Sequence, residues 1–259
     1  VLLLIAGCGR IGFGDQPRGD GGTRDGGVVD APDGPLPPFD VISPDATLPA
    51  GLVVWFPMDE SAPAFAADVV SGFGGTCGMG SCPQSGTGHH GGAFLFDGIN
   101  DCIEVANMGQ FGQAEITIAI WIEPYVSSAG SAVAKPVDLS TTSDTWQLET
   151  SASDEVSFTS SHGTTTNTRI TSPAGTLTVM QWHHVAATFD GTTRRLYVDG
   201  VEVDSAAAPG PLAYDSNSVW LGCDDNGGTP ALRFNGALDD FQIYNRALSL
   251  AEIQMLVAM

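Results

Sequence analysis

Residues 182–191 read WHHVAATFDG and residues 196–200 read LYVDG, and these two neighbouring stretches decide the fold class. Apolar and β-branched residues fill 185–189 and 196–198, and each run ends at Asp-Gly, a dipeptide typical of turns. The pattern predicts two short strands joined by a turn. Because side chains alternate along a strand, His183 is expected on the side of Val185 and His184 on the opposite side.

Similar short apolar segments recur from Gly51 onward and are bounded by Gly, Asp, Asn, Pro or Ser. The further candidate strands are 52–56, 93–96, 102–105, 116–122, 146–148, 156–159, 201–203, 219–221 and 241–244. Many short strands with no long helical pattern between them predict an all-β fold, a two-sheet antiparallel jelly-roll sandwich.

One short C-terminal helix completes the expected fold. Ser249 is followed three residues later by Glu252, the spacing of a capping box at a helix N-terminus. An apolar face for docking on the sandwich is predicted from Leu250, Ile253, Leu256 and Val257.

The charge of the chain excludes two classes of partner. Among 259 residues, 30 Asp and Glu oppose 9 Lys and Arg, for a net charge of −21. Nucleic acid and anionic lipid headgroups both require a cationic surface, so neither is an expected partner. Such a surface suits calcium or a neutral ligand.

The N-terminal residues resemble a bacterial lipobox. Residues 1–5 are apolar, and Ala6 and Gly7 precede Cys8. The resemblance implies cleavage before Cys8 and lipidation of that cysteine, so residues 1–8 are a signal-peptide remnant whose charged start is missing. A truncated transmembrane helix or a secretory signal with an incidental cysteine is the alternative, although the run is too short to cross a bilayer.

The next segment, residues 9–50, is predicted to be a disordered linker because Gly, Asp and Pro crowd it and it cannot bury enough apolar surface to order itself. It would tether a folded domain at 51–259. By resemblance to lipoprotein sorting, Gly9 after the cysteine permits delivery to the outer membrane or cell surface of a Gram-negative-type bacterium.

Four cysteines remain if Cys8 is lipidated, an even number that predicts two disulfides in an exported protein. Cys77 and Cys82 flank a short glycine-rich loop that can close on itself, which leaves Cys102 for Cys223. Four cysteines allow three connectivities, and the other two stay open at this stage.

Five blocks in order along the chain read GAFLFDGINDCIEV (92–105), ITIAIWIEP (116–124), WHHVAATFDG (182–191), LYVDG (196–200) and GALDDFQIYNRALS (236–249). Together these blocks resemble LamG-like domains of the concanavalin A-like superfamily. The resemblance implies the jelly roll that laminin G modules, pentraxins and legume lectins share. Cys102 stands where the family usually has an aromatic residue, which supports its pairing with Cys223.

A candidate calcium site follows from a further resemblance, to the calcium loop of pentraxins, in the run LGCDDN at 221–226. That resemblance implies side-chain oxygens from Asp224 and Asn226, the carbonyl of Asp225, and Asp144 as partner ligand. Oxygen ligands on loops suit calcium rather than zinc. The alternative is a solvated Asp/Asn turn.

A second acidic cluster competes for the cation. Asp97, Asn100 and Asp101 precede one strand, and Asp239 lies in the last strand with the parity of Phe241, which predicts that it faces the core. Capping of turns through backbone N–H groups is the favoured interpretation of these acids, and a structural calcium is the alternative.

Two tryptophans, Trp146 and Trp220, lie beside the proposed acidic rim and are candidates for stacking on a sugar ring. The histidine pair 183–184 is interpreted as structural because no nucleophile is tied to it, and His89-His90 carry little meaning alone. The strands lack the closely spaced carboxylates that glycoside hydrolases of this superfamily place across a cleft.

The sequence therefore predicts a non-catalytic, surface-exposed module that binds carbohydrate or protein, with calcium as a possible cofactor. Two other hypotheses remain. The chain is a divergent polysaccharide hydrolase of the same fold, or a structural or adhesion protein of the envelope without a small ligand.

Overall fold

The computed structural model describes residues 47–62, 65–78, 80–106, 108, 112–138 and 143–259, with Thr166 described by its backbone alone. Cys8 and nearly all of the expected linker lie outside these residues. Within them, no helix is long and apolar enough to cross a membrane.

Two eight-stranded sheets carry the fold. The strands of the first, called the back sheet, are β1 (Leu52–Phe56), β4 (Gln84–Thr87), β5 (Gly92–Asp97), β7 (Ile116–Pro124), β12 (His183–Phe189), β13 (Thr193–Val198), β14 (Val201–Ala207) and β18 (Asn235–Tyr244). Its order is β14-β13-β12-β7-β18-β5-β4, and β1 pairs with the far half of β18.

The second sheet, called the front sheet, consists of β2 (Phe65–Ala67), β3 (Gly74–Thr76), β6 (Ile103–Val105), β8 (Gly130–Pro136), β9 (Asp144–Thr150), β10 (Val156–His162), β11 (Thr165–Thr171) and β15 (Val219–Leu221). Its order is β11-β10-β9-β8-β15-β6-β3-β2. A two-stranded ribbon of β16 (Asp224–Asp225) and β17 (Pro230–Ala231) lies beside β8. All of these strand pairs are antiparallel, which confirms the predicted two-sheet sandwich.

The core lies between the sheets and is built by strand alternation. Back-sheet residues such as Ile118, Val185 and Phe189 pack with front-sheet residues such as Leu148 and Phe158. His183 and His184 take opposite faces of β12, as alternation predicts. His183 Nδ1 donates to Asp199 at 2.8 Å and its Nε2 accepts from the amide of Thr178, so it is a hydrogen-bonded structural residue.

The helix α1 (Leu250–Val257) begins with the predicted capping box, in which Ser249 and Glu252 each accept from the other's backbone amide. Ile253 and Leu256 pack on the outer face of the back sheet against Ala186 and Tyr244. Leu250 is predicted on this face but is exposed. The buried residues of this short helix are Ile253 and Leu256.

Two disulfides, Cys77–Cys82 and Cys102–Cys223, confirm the predicted pairing. The second joins the segment before β6 to the residue before Asp224. It therefore fixes the acidic β16–β17 ribbon to the front sheet.

Candidate functional site

The outer face of the front sheet carries a polar groove of about 500 Å³. Strand pairing aligns Trp220, Ala134, Gln147, Thr159 and Arg169 in one row across five strands. The neighbouring row, which includes Leu148 and Phe158, faces the core, so this row faces outward. The groove is lined by Asp144, Gln147, Glu149, Thr159, Asn167, Arg169, Asp224, Asn226 and Leu232.

The structure brings Asp144 and Asp224 together at one end of this groove. Their side chains are 3% and 2% exposed, and the two carboxyl groups are hydrogen-bonded to each other. Burial and the charge of Asp224 raise the pKa of Asp144 to about 9, and burial also raises the pKa of Asp224. Asn226 lines the same groove, so three of the four residues predicted for calcium meet there.

The surroundings leave negative charge at this end uncompensated. Asp225 has a buried Oδ1 for which the described residues provide no hydrogen-bond donor. Lys135, whose charge acts on Asp144, is buried and donates to Asp215 at 2.8 Å. Arg169 pairs with Glu149 further along the groove. The charge of Lys135 is shared with Asp215, so it cannot neutralise both carboxyl groups of the Asp144–Asp224 pair. The pair therefore requires either a bound proton or an added metal ion.

This pair predicts how stability depends on pH when metal is chelated. Unfolded Asp144 ionises near 3.8, whereas the folded carboxyl keeps its proton until about pH 9. The folded state therefore binds more protons over this interval, so its free energy of unfolding falls as pH rises from about 4 to 9. Urea unfolding with EDTA at several pH values measures this slope. Asp144→Asn is expected to flatten it, and an unchanged slope would contradict the assignment.

The second predicted acidic cluster is divided by the structure. Asp97 Oδ1 accepts from the amides of Ile99, Asn100 and Asp101, while Asp101 accepts from the amide of Asp97, so these acids cap a turn. This agrees with the favoured structural interpretation. Asp239 is not placed with them, since it pairs in register with Trp121 on β7, whereas Asp97 pairs with Asn235.

The predicted orientation of Asp239 is wrong. A β-bulge interrupts β18 after Asp239, and Asp240 within it has φ 49°. The extra residue puts Asp239 and Phe241 on opposite faces of the sheet. Asp239 thus lies on the outer face with Trp121 and His184, and not on the core side.

The two candidate tryptophans have different environments. Trp146 was predicted to bind a ligand, but it is 2% exposed and belongs to the core cluster between the sheets, so this prediction is wrong. Alternation places it beside Leu148 on the inner face. Trp220 is half-buried on the outer face and lines a depression next to the groove with Glu104 and Arg233.

Sequence reasoning missed a cluster on the outer face of the back sheet. Trp55, His90, Trp121, His184 and Asp240 line a small cavity there under the end of α1. The ring of His89 stacks on Trp121 with centroids 3.5 Å apart. The His89-His90 pair was the one available signal, and nothing local in the sequence links it to a strand about 150 residues away.

The fold and these sites define a lectin-like sandwich with an acidic groove. A family model of the concanavalin A-like lectin/glucanase superfamily matches residues 97–254, more than half of the chain. The chain therefore belongs to this superfamily, in its laminin G-type branch. A comparison with curated protein sequences finds no significant match.

Solved structures share the fold at low identity. The binding domain of Paraclostridial Mosquitocidal Protein 1 superposes with TM-score 0.63 and 17% identity over 80% of this chain and 52% of its own, so this chain spans about half its length. Domain 4 of AbnA, an extracellular GH43 arabinanase from Geobacillus stearothermophilus, was solved in complex with arabinotriose. It superposes with TM-score 0.58 and 19% identity over 80% of this chain and 98% of its own. The CBM40 of a Ruminococcus gnavus sialidase, bound to sialyllactose, superposes with TM-score 0.50 and 17% identity over 56% of this chain and 83% of its own.

Proposed function

We propose that this chain is a non-catalytic binding module that recognises a glycan in the front-sheet groove, with calcium held at the Asp144–Asp224 end. The observation that carries the proposal is the pair of buried, mutually hydrogen-bonded carboxyl groups at the end of an open polar groove. A groove of about 500 Å³ falls within the usual size of small-ligand sites.

The lining favours a sugar over an apolar ligand. Gln147 has a buried Nε2 donor that no described residue accepts, and Glu149 and Arg169 add an acceptor and donors along the same wall. Alternating donors and acceptors match the hydroxyl groups of a glycan. Three solved structures with this fold are a toxin binding domain, an arabinanase domain in complex with arabinotriose and a CBM40 bound to sialyllactose, which is compatible with this use of the fold.

The donor set at the end of the groove fits calcium. Asp144, Asp224 and Asn226 would hold the ion with oxygen atoms, and the orphaned Oδ1 of Asp225 lies in the same acidic ribbon. Hard oxygen ligands from carboxylates and amides are those that calcium prefers. The ion would replace the shared proton, allow both acids to ionise and fix the β16–β17 ribbon at the groove.

Calcium titration tests the metal part of the proposal. Isothermal titration of the full chain is expected to give one site at the groove, with affinity that rises with pH as the acids ionise. Asp224→Asn is expected to weaken it about tenfold or more, since even neighbours of metal ligands contribute that much. Glu123→Gln, on the outer face of the other sheet, is the matched control and should bind like the parent. Absence of calcium heat at pH 8 would remove this part.

Glycan arrays with and without calcium test the ligand. Gln147→Ala removes the free amide and is expected to weaken glycan binding several-fold, the usual value of one hydrogen bond. Release of reducing sugar from a bound glycan would instead indicate the divergent hydrolase. The direct contact between Asp144 and Asp224 argues against it, since two-carboxylate hydrolysis needs the groups about 5 Å or more apart. If the chain binds no glycan on the array, a protein ligand or an adhesion role is favoured.

We further propose that the domain is displayed by a lipid anchor at Cys8 with residues 9–50 as the tether. Two disulfides accord with an oxidising compartment outside the cytoplasm. The anchor and the outer-membrane location rest on the lipobox resemblance alone. Cys8→Ser is expected to abolish incorporation of labelled fatty acid and to release the protein from the membrane fraction.

A further inference from the structure

A tight glycine-rich loop delivers His90 to the outer face of the back sheet. The loop consists of residues 88–91, between β4 and β5, and its turn closes with a hydrogen bond from Gly88 N to Gly91 O. A Cβ on Gly88 would lie 1.9 Å from the carbonyl oxygen of Gly92 and 2.5 Å from Asp239 Oδ2. Only glycine allows this approach, so the loop and the bulge of β18 are built against each other.

The approach places three ligand-type side chains together. One nitrogen or oxygen from each of His90, Asp239 and Asp240 lies within 4.8 Å of the others. His90 Nδ1 is 3.0 Å from Asp240 Oδ2, and the amide of His90 donates to Asp239 Oδ2 at 2.9 Å. The indole of Trp55 donates to Asp240 Oδ1 at 2.7 Å and orients that carboxylate.

Buried atoms in this cluster lack partners. Asp239 is 0% exposed, and its Oδ1 has no hydrogen-bond donor among the described residues. His184 lines the small cavity that His90 and Asp240 also line, and its buried Nδ1 has no hydrogen-bond partner among the described residues either. Two adjacent carboxylates face a single imidazole, which cannot neutralise both.

We propose that His90, Asp239 and Asp240 bind a divalent transition-metal ion of the zinc type, at a site separate from the glycan groove. An imidazole nitrogen with two carboxylates suits zinc and its neighbours, whereas calcium takes oxygen ligands alone. Zinc holds its ligand atoms roughly 3.3 Å apart, and His90 Nδ1 already lies 3.0 Å from Asp240 Oδ2. His90 and Asp240 also line a cavity of about 30 Å³, which has room for a water beside the ion and is far too small for a sugar ring.

The surrounding contacts act as the outer shell of such a site. Carboxylates that bind metals usually accept further hydrogen bonds. Here Trp55 donates to Asp240, and the amide of His90 donates to Asp239. The ion would join the loop, the bulge of β18 and the neighbouring β1 beneath the C-terminal helix. Its role would therefore be to stabilise this end of the sandwich.

Titration of the EDTA-treated full chain with Zn²⁺, in saturating calcium to occupy the groove, tests the proposal. We expect one zinc ion per chain, a higher melting temperature, and visible absorption bands when Co²⁺ replaces Zn²⁺. His90→Gln and Asp239→Asn should each weaken zinc binding by about tenfold or more. Asp239→Asn keeps an acceptor for the His90 amide, so the metal-free variant should melt no lower than the parent.

Two controls separate this site from the groove and from surface chelation. Glu123→Gln alters a carboxylate on the same sheet face, and Asp144→Asn alters the calcium end of the groove; both should bind zinc like the parent. Absence of zinc heat and of cobalt bands would overturn the proposal and leave a hydrogen-bonded cluster of His90, Asp239 and Asp240 without an ion. Zinc binding that survives both His90→Gln and Asp239→Asn would also overturn it. Neither result bears on calcium or glycan binding.

Discussion

Replacing both Cys102 and Cys223 by serine is expected to lower the free energy of unfolding by about 4 to 5 kcal/mol. The bridge closes a loop between residues 121 apart in sequence, and the entropy that a disulfide removes from the unfolded chain grows with loop length. Guanidinium unfolding of parent and double variant measures the difference. Calcium binding should weaken in the same variant, since Cys223 directly precedes Asp224 and holds the acidic ribbon in place.

The other disulfide provides the matched control. Cys77 and Cys82 are 5 residues apart in sequence, so their replacement by serine is expected to cost only about 2 kcal/mol. It should also leave calcium binding unchanged, because neither cysteine touches the groove. Equal losses for the two double variants would contradict the dependence on loop length, and loss of calcium binding in the control would contradict the assigned role of Cys223.

Trp146→Ala is expected to destabilise the fold by about 3 to 5 kcal/mol, the usual loss for a large aromatic residue deleted from a core. Trp146 is 2% exposed and packs between the sheets, where the alanine would leave a cavity. Urea unfolding measures the change. The result distinguishes a core residue from a sugar platform, since a platform could be removed with little loss of stability.

Trp220→Ala is the comparison, because Trp220 is the half-buried tryptophan on the outer face of the same sheet. Because Trp220 buries less apolar surface than Trp146, we expect its removal to lower the free energy of unfolding by about 1 kcal/mol. A similar loss for both variants would show that the two tryptophans are equally embedded and would contradict the alternation that separates them.

The fold class could be predicted because its signals are local. Alternation in 185–189, the Asp-Gly turns and the capping box at Ser249 each depend on residues within a few positions of one another. The cysteine spacing favoured one of the three possible disulfide pairings for a similar reason, since a 5-residue loop closes readily. The meeting of Asp144 with Asp224 was predicted through a family resemblance, because 80 residues separate the two and no periodicity connects them.

The two errors have different physical origins. Parity along a strand assigns faces only while the strand is regular, and one bulge at Asp240 reversed the assignment of Asp239. Trp146 was assigned to a rim because of its neighbours in sequence, whereas its face is set by pairing with β8 and β10. The groove residues Gln147, Thr159 and Arg169 come from three strands and form a row only when those strands are in register.

The sequence by itself determined the sandwich, the helix cap and the kind of chemistry available, since those follow from local conformational preference and composition. The tertiary structure alone decided which polar residues meet. The His90 loop reaches Asp239 across 149 residues of chain, through a glycine contact and a bulge that no local pattern specifies. Contacts of that kind depend on strand order and register, which the packing of the whole domain fixes.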